Sequence, residues 1–234
     1  MIAPHHLLPY TPSPMRPSVL PLLITTLLLS ACGEVTVTYD LQTDAELADQ
    51  KSELTLASMR VMERRLKRIG ENVLEKDITA KDGVPSIILT LGDTVARDTL
   101  TQELVQPFTL RIMTETTDEE SADITVAGQG GFTETGLTED HMTWAKAGQD
   151  TDPSKGLVTL TFTEDGRTLM NDIFAQNNGK YIGLFVRERL MSKLLVESAV
   201  LMDDIVIRDI PSVEIANIFA DDINVGLHVI FVPH

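Results

Sequence analysis

Between residues 34 and 113 the apolar residues switch between two spacings, and the order of the switches restricts the fold more than any single motif does. The stretch EVTVTYDL, residues 34–41, alternates Val35, Val37 and Tyr39 with polar positions, the period of a half-buried strand. From 44 to 69 the period becomes helical: Met59, Met62, Leu66 and Ile69 recur at spacings of three and four, and Gly70 supplies the stop. Methionines at that spacing fill a core and do not form a metal-binding set. Two strands follow, 73–80 and 84–91, joined through Asp82-Gly83, a dipeptide that favours a tight hairpin turn. A second helix carries Ala96, Leu100 and Leu104 on one face and ends before Pro107, after which 108–113 reads as a strand. The order β-α-β-β-α-β is the ferredoxin-like split arrangement, which needs only hairpins and short crossovers.

The pattern then lapses. Residues 115–133 read as an acidic linker, with the run TETTDEESAD lacking apolar periodicity and AGQGG forming a loop. TEDHMTWAKA, around Trp144, reads as a short helix, and DTDPSKG as a turn. A strand at 157–162 leads through Thr163, a suitable N-cap, into a helix over 164–176 that buries Leu169, Ile173 and Phe174. Asn177-Asn178-Gly179 closes it. Residues 181–196 read as a strand, a turn and a second strand; 203–210 as another strand; 211–224 as a helix with Pro211 at its start; and 227–233 as the strand that completes the second sheet. The expected class is α+β: two ferredoxin-like β-α-β-β-α-β type domains with antiparallel sheets, at 32–114 and 134–234.

The chain has one cysteine, Cys32, and it ends the apolar stretch LLLSACG. The apolar run 19–29 is far shorter than the roughly 20 helical residues that cross a bilayer. Arg16 before the run and the small residues Ser30 and Ala31 after it complete a cleavable export signal over residues 1–31, for which Met15 is an alternative start. Leu29-Ser30-Ala31-Cys32 resembles the bacterial lipobox, whose cysteine sulfur receives a diacylglyceryl group and becomes the first residue. An acylated Cys32 would not be the unpaired thiol that an oxidising compartment penalises. One acyl chain binds a membrane reversibly, and two or three hold it stably. Gly33, where an inner-membrane retention signal would carry Asp, favours the outer membrane. The expected home is therefore the bacterial envelope, on the periplasmic side, with the membrane as a partner through the lipid.

Removing residues 1–31 takes away only Arg16 among the charges, leaving 35 acidic against 18 basic residues and a net charge of −17. That balance argues against nucleic acid and against electrostatic docking on anionic lipid. It suits solubility, or basic and unfolded partners. No motif for a nucleophile, phosphate loop or paired cysteines occurs, so no enzyme activity, metal or cofactor is expected. His141, His228 and His234 fall in separate elements, His228 in an apolar strand. Asp150, Asp152 and Ser154 resemble a calcium loop briefly, but Lys155 and Thr161 stand where Gly and Glu are needed. The pairs Asp203-Asp204 and Asp221-Asp222 read as solvated charge.

SMRVMERRLKRIGENVLEKDITAKDGVPSIILTLGD resembles the first periplasmic segment of SecD, the export accessory subunit, where an Arg-rich helix end precedes a strand pair. LVTLTFTEDGRTLMNDIFAQNNGKYIGLF and the residues up to Gly226 are similar to its later part, with NNGK and its flanks in place. Arg187-Glu188 and Met191-Ser192-Lys193 depart from the SecD pattern at one hairpin turn. The resemblance implies a base-like domain at 32–114 and a head-like domain at 134–234, tethered here by lipid as a stand-alone lipoprotein. It also implies translocon components or exported polypeptide as partners, in assistance of protein export. The alternative is a structural or adaptor envelope lipoprotein without an export role.

Overall fold

The structure, a computed structural model, describes residues 33–118, 120–199 and 204–234; Cys32 and the expected signal lie outside the described residues. The first strand, β1 (Val35–Thr43), buries Val37, Tyr39 and Leu41 on one face. A 3-10 segment (Ala45–Gln50) leads into α1 (Lys51–Arg68), where one continuous helix was expected from residue 44. The helix ends as a Schellman turn: the Gly70 amide donates to the Lys67 carbonyl and the Glu71 amide to that of Leu66, with Gly70 at φ +85°. Strands β2 (Val73–Lys81) and β3 (Val84–Leu91) form a hairpin through Asp82 and Gly83, both at positive φ, as a type I′ turn requires. Helix α2 (Thr94–Leu104) starts on Asp93, whose carboxylate accepts the Ala96 amide, and buries Ala96, Leu100 and Leu104.

From here the chain departs from a simple tandem. Strand β4 (Leu110–Thr116) does not join β1–β3. It enters a five-stranded sheet of order β10-β9-β4-β6-β5, built with β5 (Ile124–Val126), β6 (Gly130–Thr138), β9 (Tyr181–Val186) and β10 (Arg189–Leu195). The expected linker, 115–133, thus gives residues 115–116, 124–126 and 130–133 to the sheet, because Asp123 and Phe132 pair β5 onto β6 and the side chains of Ile124 and Val126 pack on Phe132. Trp144 lies in strand β7 (Met142–Gln149), not a helix: only 139–141 make a 3-10 turn, and pairing to β8 (Gly156–Phe162) overrides local propensity. Strand β11 (Ile205–Ile210) completes a three-stranded sheet, β11-β8-β7. Helix α3 (Glu164–Gln176) is capped by the Thr163 hydroxyl, which accepts the Gly166 amide; it buries Met170 and Ile173, with Leu169 and Phe174 packed at the margin.

Helix α4 (Val213–His228) and strand β12 (Val229–Pro233) bring the chain back. Pro211 precedes the N-cap Ser212 instead of opening the helix, and His228 is the last helical residue, not a strand residue. With no loop between, β12 pairs antiparallel with β1, Phe231 opposite Leu41. The first sheet is therefore β12-β1-β3-β2: the ferredoxin-like order, with its fourth strand drawn from the far end of the chain. The 16 residues of α4 span about 24 Å. Its first turns bury Ala216, Ala220 and Ile223 in the core of β4, β7–β9 and β11, while Val225 belongs with Tyr39, Leu54, Leu66 and Leu89 in the core of the four-stranded unit. Every strand pairing is antiparallel, and the second half keeps its own strand–helix–strands–helix–strand order across two sheets.

Candidate functional site

Three sheets have six outer strands, and what covers each decides where an extended chain can add. Helix α4 blocks β7. Buried Asn224 accepts the Ala145 amide at 2.7 Å and donates to the Ala145 carbonyl at 2.8 Å, the bonds a neighbouring strand would make. One turn on, His228 Nε2 donates to the Thr143 carbonyl at 2.8 Å while its ring stacks on Trp144, centroids 5.5 Å apart. In the five-stranded sheet, β5 has only three residues, and the sheet curls until Lys193 of β10 reaches the Gln129 carbonyl at the β5–β6 turn, 2.9 Å away. The same ammonium meets Glu115 at 2.6 Å and lies 4.7 Å from the Tyr181 ring centroid, closing the curl over Phe132 and Phe185. Strands β10 and β11 are interrupted by register shifts, and β12 is short and ends at Pro233.

Strand β2 differs from all of these. Past an irregularity at Val73–Glu75 it runs in register with β3 from Glu75 to Lys81, and eight of its nine residues are exposed. The reason is geometric. Ile78, opposite buried Ile87, faces the helical side of the sheet, yet it remains 40% exposed because α1 does not reach over it. The gap is an open groove of about 550 Å³, floored by Ile78, Ala80 and Pro85 and walled by Ala48, Ser52, Thr55 and Leu56 of the helical side. Leu56 is 52% exposed, an apolar side chain that the fold leaves in water. Lys51 donates through Nζ to the Gly83 carbonyl and closes the hairpin end. Glu75 and Asp77 charge the start of the strand, and Ile78-Thr79-Ala80 form a neutral middle.

The residues weighed from the sequence lie elsewhere. His141 Nδ1 sits 3.1 Å from the Thr138 amide and hydroxyl, capping its own turn. His234 bonds Asp40 at 2.9 Å, where the Ser86 hydroxyl, first, and that histidine hold the carboxyl below its ordinary range. The structure does not bring the three histidines together, and among the described residues no group of three or more His, Cys, Asp or Glu is placed to hold a metal ion. Asp150 accepts the amides of Thr151 and Asp209 and a bond from Arg208, and Asp152 accepts from Ser154, so both carboxylates are occupied by their own turns. Asp204 takes Thr161 and Arg167; Asp203 is outside the described residues. Asp221 is not solvated: it is buried, receives both Nε and Nη2 of Arg60 at 2.8 and 2.7 Å, and Arg64 bridges it to Asp222. The exposed β2 edge was left open by the sequence reading, since which strand lies outermost depends on pairings more than 100 residues apart. The hint in the sequence was that VLEKDITAK carries four charged residues, Glu75, Lys76, Asp77 and Lys81, and no continuous apolar run.

No protein-family model matches the chain, and no curated protein matches it. Solved structures are similar. A structure of a membrane component SecDF that enhances protein export shares 18% identity over 84% of this chain and 96% of that one, with a TM-score of 0.46. SecDF in a super-membrane-facing form shares 19% over 86% of this chain, with a TM-score of 0.47. SecDF of Thermus thermophilus, a translocon-associated membrane protein, shares 20% over 84%, with the same TM-score. The chain spans 30% of each of the latter two chains. Among the described residues, no helix is long and apolar enough to cross a membrane.

Proposed function

We propose that this chain is a lipid-anchored periplasmic module that receives extended polypeptide along β2, in assistance of protein export. The observation that carries the reading is the exposed β2 edge beside the apolar groove of Leu56 and Ile78. A peptide adding to this edge gains main-chain hydrogen bonds, and alternate side chains enter the groove. Affinity then comes from backbone and specificity stays loose, as handling of many different chains requires. The resemblance of residues 54–226 to the SecD periplasmic segment supplies the export context, and the lipobox at Cys32 the tether. Mass spectrometry of the mature N-terminus should find a diacylated Cys32.

A photo-crosslinking residue replacing Ile78, expressed in whole cells, should capture secretory chains, and the same residue at Thr161 should not. Ala80→Pro, which removes an amide that points away from β3 at the open edge, should abolish those adducts. If Ile78 captures nothing during active export, or Ala80→Pro changes nothing, the reading fails. The charges of Glu75, Lys76 and Asp77 also suit an edge protected against pairing, which favours the adaptor role without export as the second reading. Envelope defects with normal secretion in a deletion strain would then be the result.

A further inference from the structure

At the neck between the four-stranded unit and the rest, where α2 gives way to β4 and α4 runs into β12, lies a second cavity of about 220 Å³. Its apolar walls are Leu104, Phe108, Val229 and Phe231, and two arginines face it, Arg65 from α1 and Arg187 from the β9–β10 turn. The site is built. Arg65 has 16% of its side chain exposed and donates from Nη1 to the Glu103 carbonyl at 2.7 Å. The Glu103 carboxylate is 4.0 Å from Arg65 and is engaged by Arg68. Asp222, the other nearby acid, is taken by Arg64 at 2.8 Å. Arg187 is fixed at φ +47°, its amide bonded to the Thr109 carbonyl at 2.9 Å, and its guanidinium makes no hydrogen bond or ion pair among the described residues. Burial, and after it the charge of Arg187, pulls the Arg65 guanidinium down to about 10, which leaves it cationic at neutral pH.

A chain with an excess of 16 negative charges has thus placed two guanidinium groups on one small cavity, one with its nearest carboxylate 4.0 Å away and shared with Arg68, the other with no ion pair among the described residues. We propose that this neck cavity binds an aliphatic carboxylate, held by Arg65 and Arg187 with its hydrocarbon part against Phe108 and Phe231. Guanidinium forks match carboxylate and phosphate alike. The apolar walls decide for the carboxylate, since a phosphate has nothing to bury there. The volume equals about seven waters, room for a leucine-sized acid and too little for a lipid acyl chain. Two sources share this chemistry: the C-terminal residue of a polypeptide and a free branched carboxylic acid. Because Arg65 and Phe231 belong to the four-stranded unit and Phe108 and Arg187 to the insertion, the ligand would tie the two together. The site is independent of β2 and survives if strand addition fails.

Calorimetry on the full chain in detergent tests it with four probes: N-acetyl-leucine, N-acetyl-leucinamide, inorganic phosphate and the peptide Ala-Ala-Ala-Ala-Leu. N-acetyl-leucine should saturate the protein below about 20 mM, and the amide should bind at least about tenfold more weakly. Arg187→Gly, which suits the positive φ and spares the turn, should weaken binding by the same factor, and Arg65→Lys should weaken it with the charge retained. Tighter binding of the peptide identifies a polypeptide terminus as the source; equal binding identifies the free acid. Equal affinity for acid and amide, phosphate binding as tight as the acid, no effect of Arg187→Gly, or no saturation would each overturn the proposal.

Discussion

Asn224 shows how much one side chain can decide. Its amide pairs both polar groups of Ala145, so Asn224→Ala should leave two buried backbone groups unpaired and destabilise the protein by about 2–4 kcal/mol, read by urea denaturation. Asp221 is a second case. Asp221→Asn should destabilise by about 1–2 kcal/mol, less than a fully buried pair, because the Arg60 side chain is 48% exposed. Asp150, like Asp40 and Asp152, contributes to acid behaviour. The Asp209 amide, first, and the Thr151 amide hold its carboxyl below the ordinary range. A depressed carboxylate lends stability that is present above its unfolded pKa, about 4, and is lost as pH falls through the folded value. Asp150→Asn should therefore flatten the decline of the denaturation midpoint on acidification below about pH 4. None of these pairings was legible in the sequence: Asp221 meets Arg60 across 161 residues, and Asn224 meets Ala145 across 79. Local composition marks a doublet of aspartates or an asparagine only as polar.

At the level of elements the sequence was readable where the period was clean. The alternation of β1, the Met59, Met62 and Leu66 stripe of α1, the Asp82-Gly83 hairpin and the Thr163 cap stand where they were expected, whereas Ile69, expected in that stripe, follows the helix and is 40% exposed. The preference for a strand pair over a helix at 181–196 also holds, with Arg187 and Glu188 both at positive φ in the turn. Trp144 was misread because MTWAKA fits both periods, and its pairing with β8 is what selects the strand. Helix α4 is placed against Phe108, on the segment leading into β4, by a missing side chain: a Cβ on Gly226 would lie 2.2 Å from the Phe108 ring. Gly226→Ala should force that ring aside, destabilise the fold by about 1–3 kcal/mol, and open 105–109 to limited proteolysis before any other loop.

For the whole molecule, what the sequence concealed was connectivity. Consecutive elements usually neighbour one another in space, so 108–113 was the natural fourth strand of the first sheet and 229–233 the natural end of the second. The structure exchanges them, inserting β4–β11 between α2 and the returning α4–β12. Truncation after His228 should thus damage the opposite end of the sequence. Removing β12 takes Phe231 from Leu41, and hydrogen exchange at residues 39–43 should rise to the level of a frayed edge while β8 and β9 keep their protection. This arrangement also has a timetable. A chain made from its N-terminus presents β1 long before the residues that complete it exist. About 140 residues separate Leu91 from Val229, which at ribosomal speed is a delay of roughly ten seconds. Throughout that interval one flank of β1 lies vacant in a half-finished domain, so the newborn protein must be shielded, or must wait unfolded, until residues 229–233 arrive.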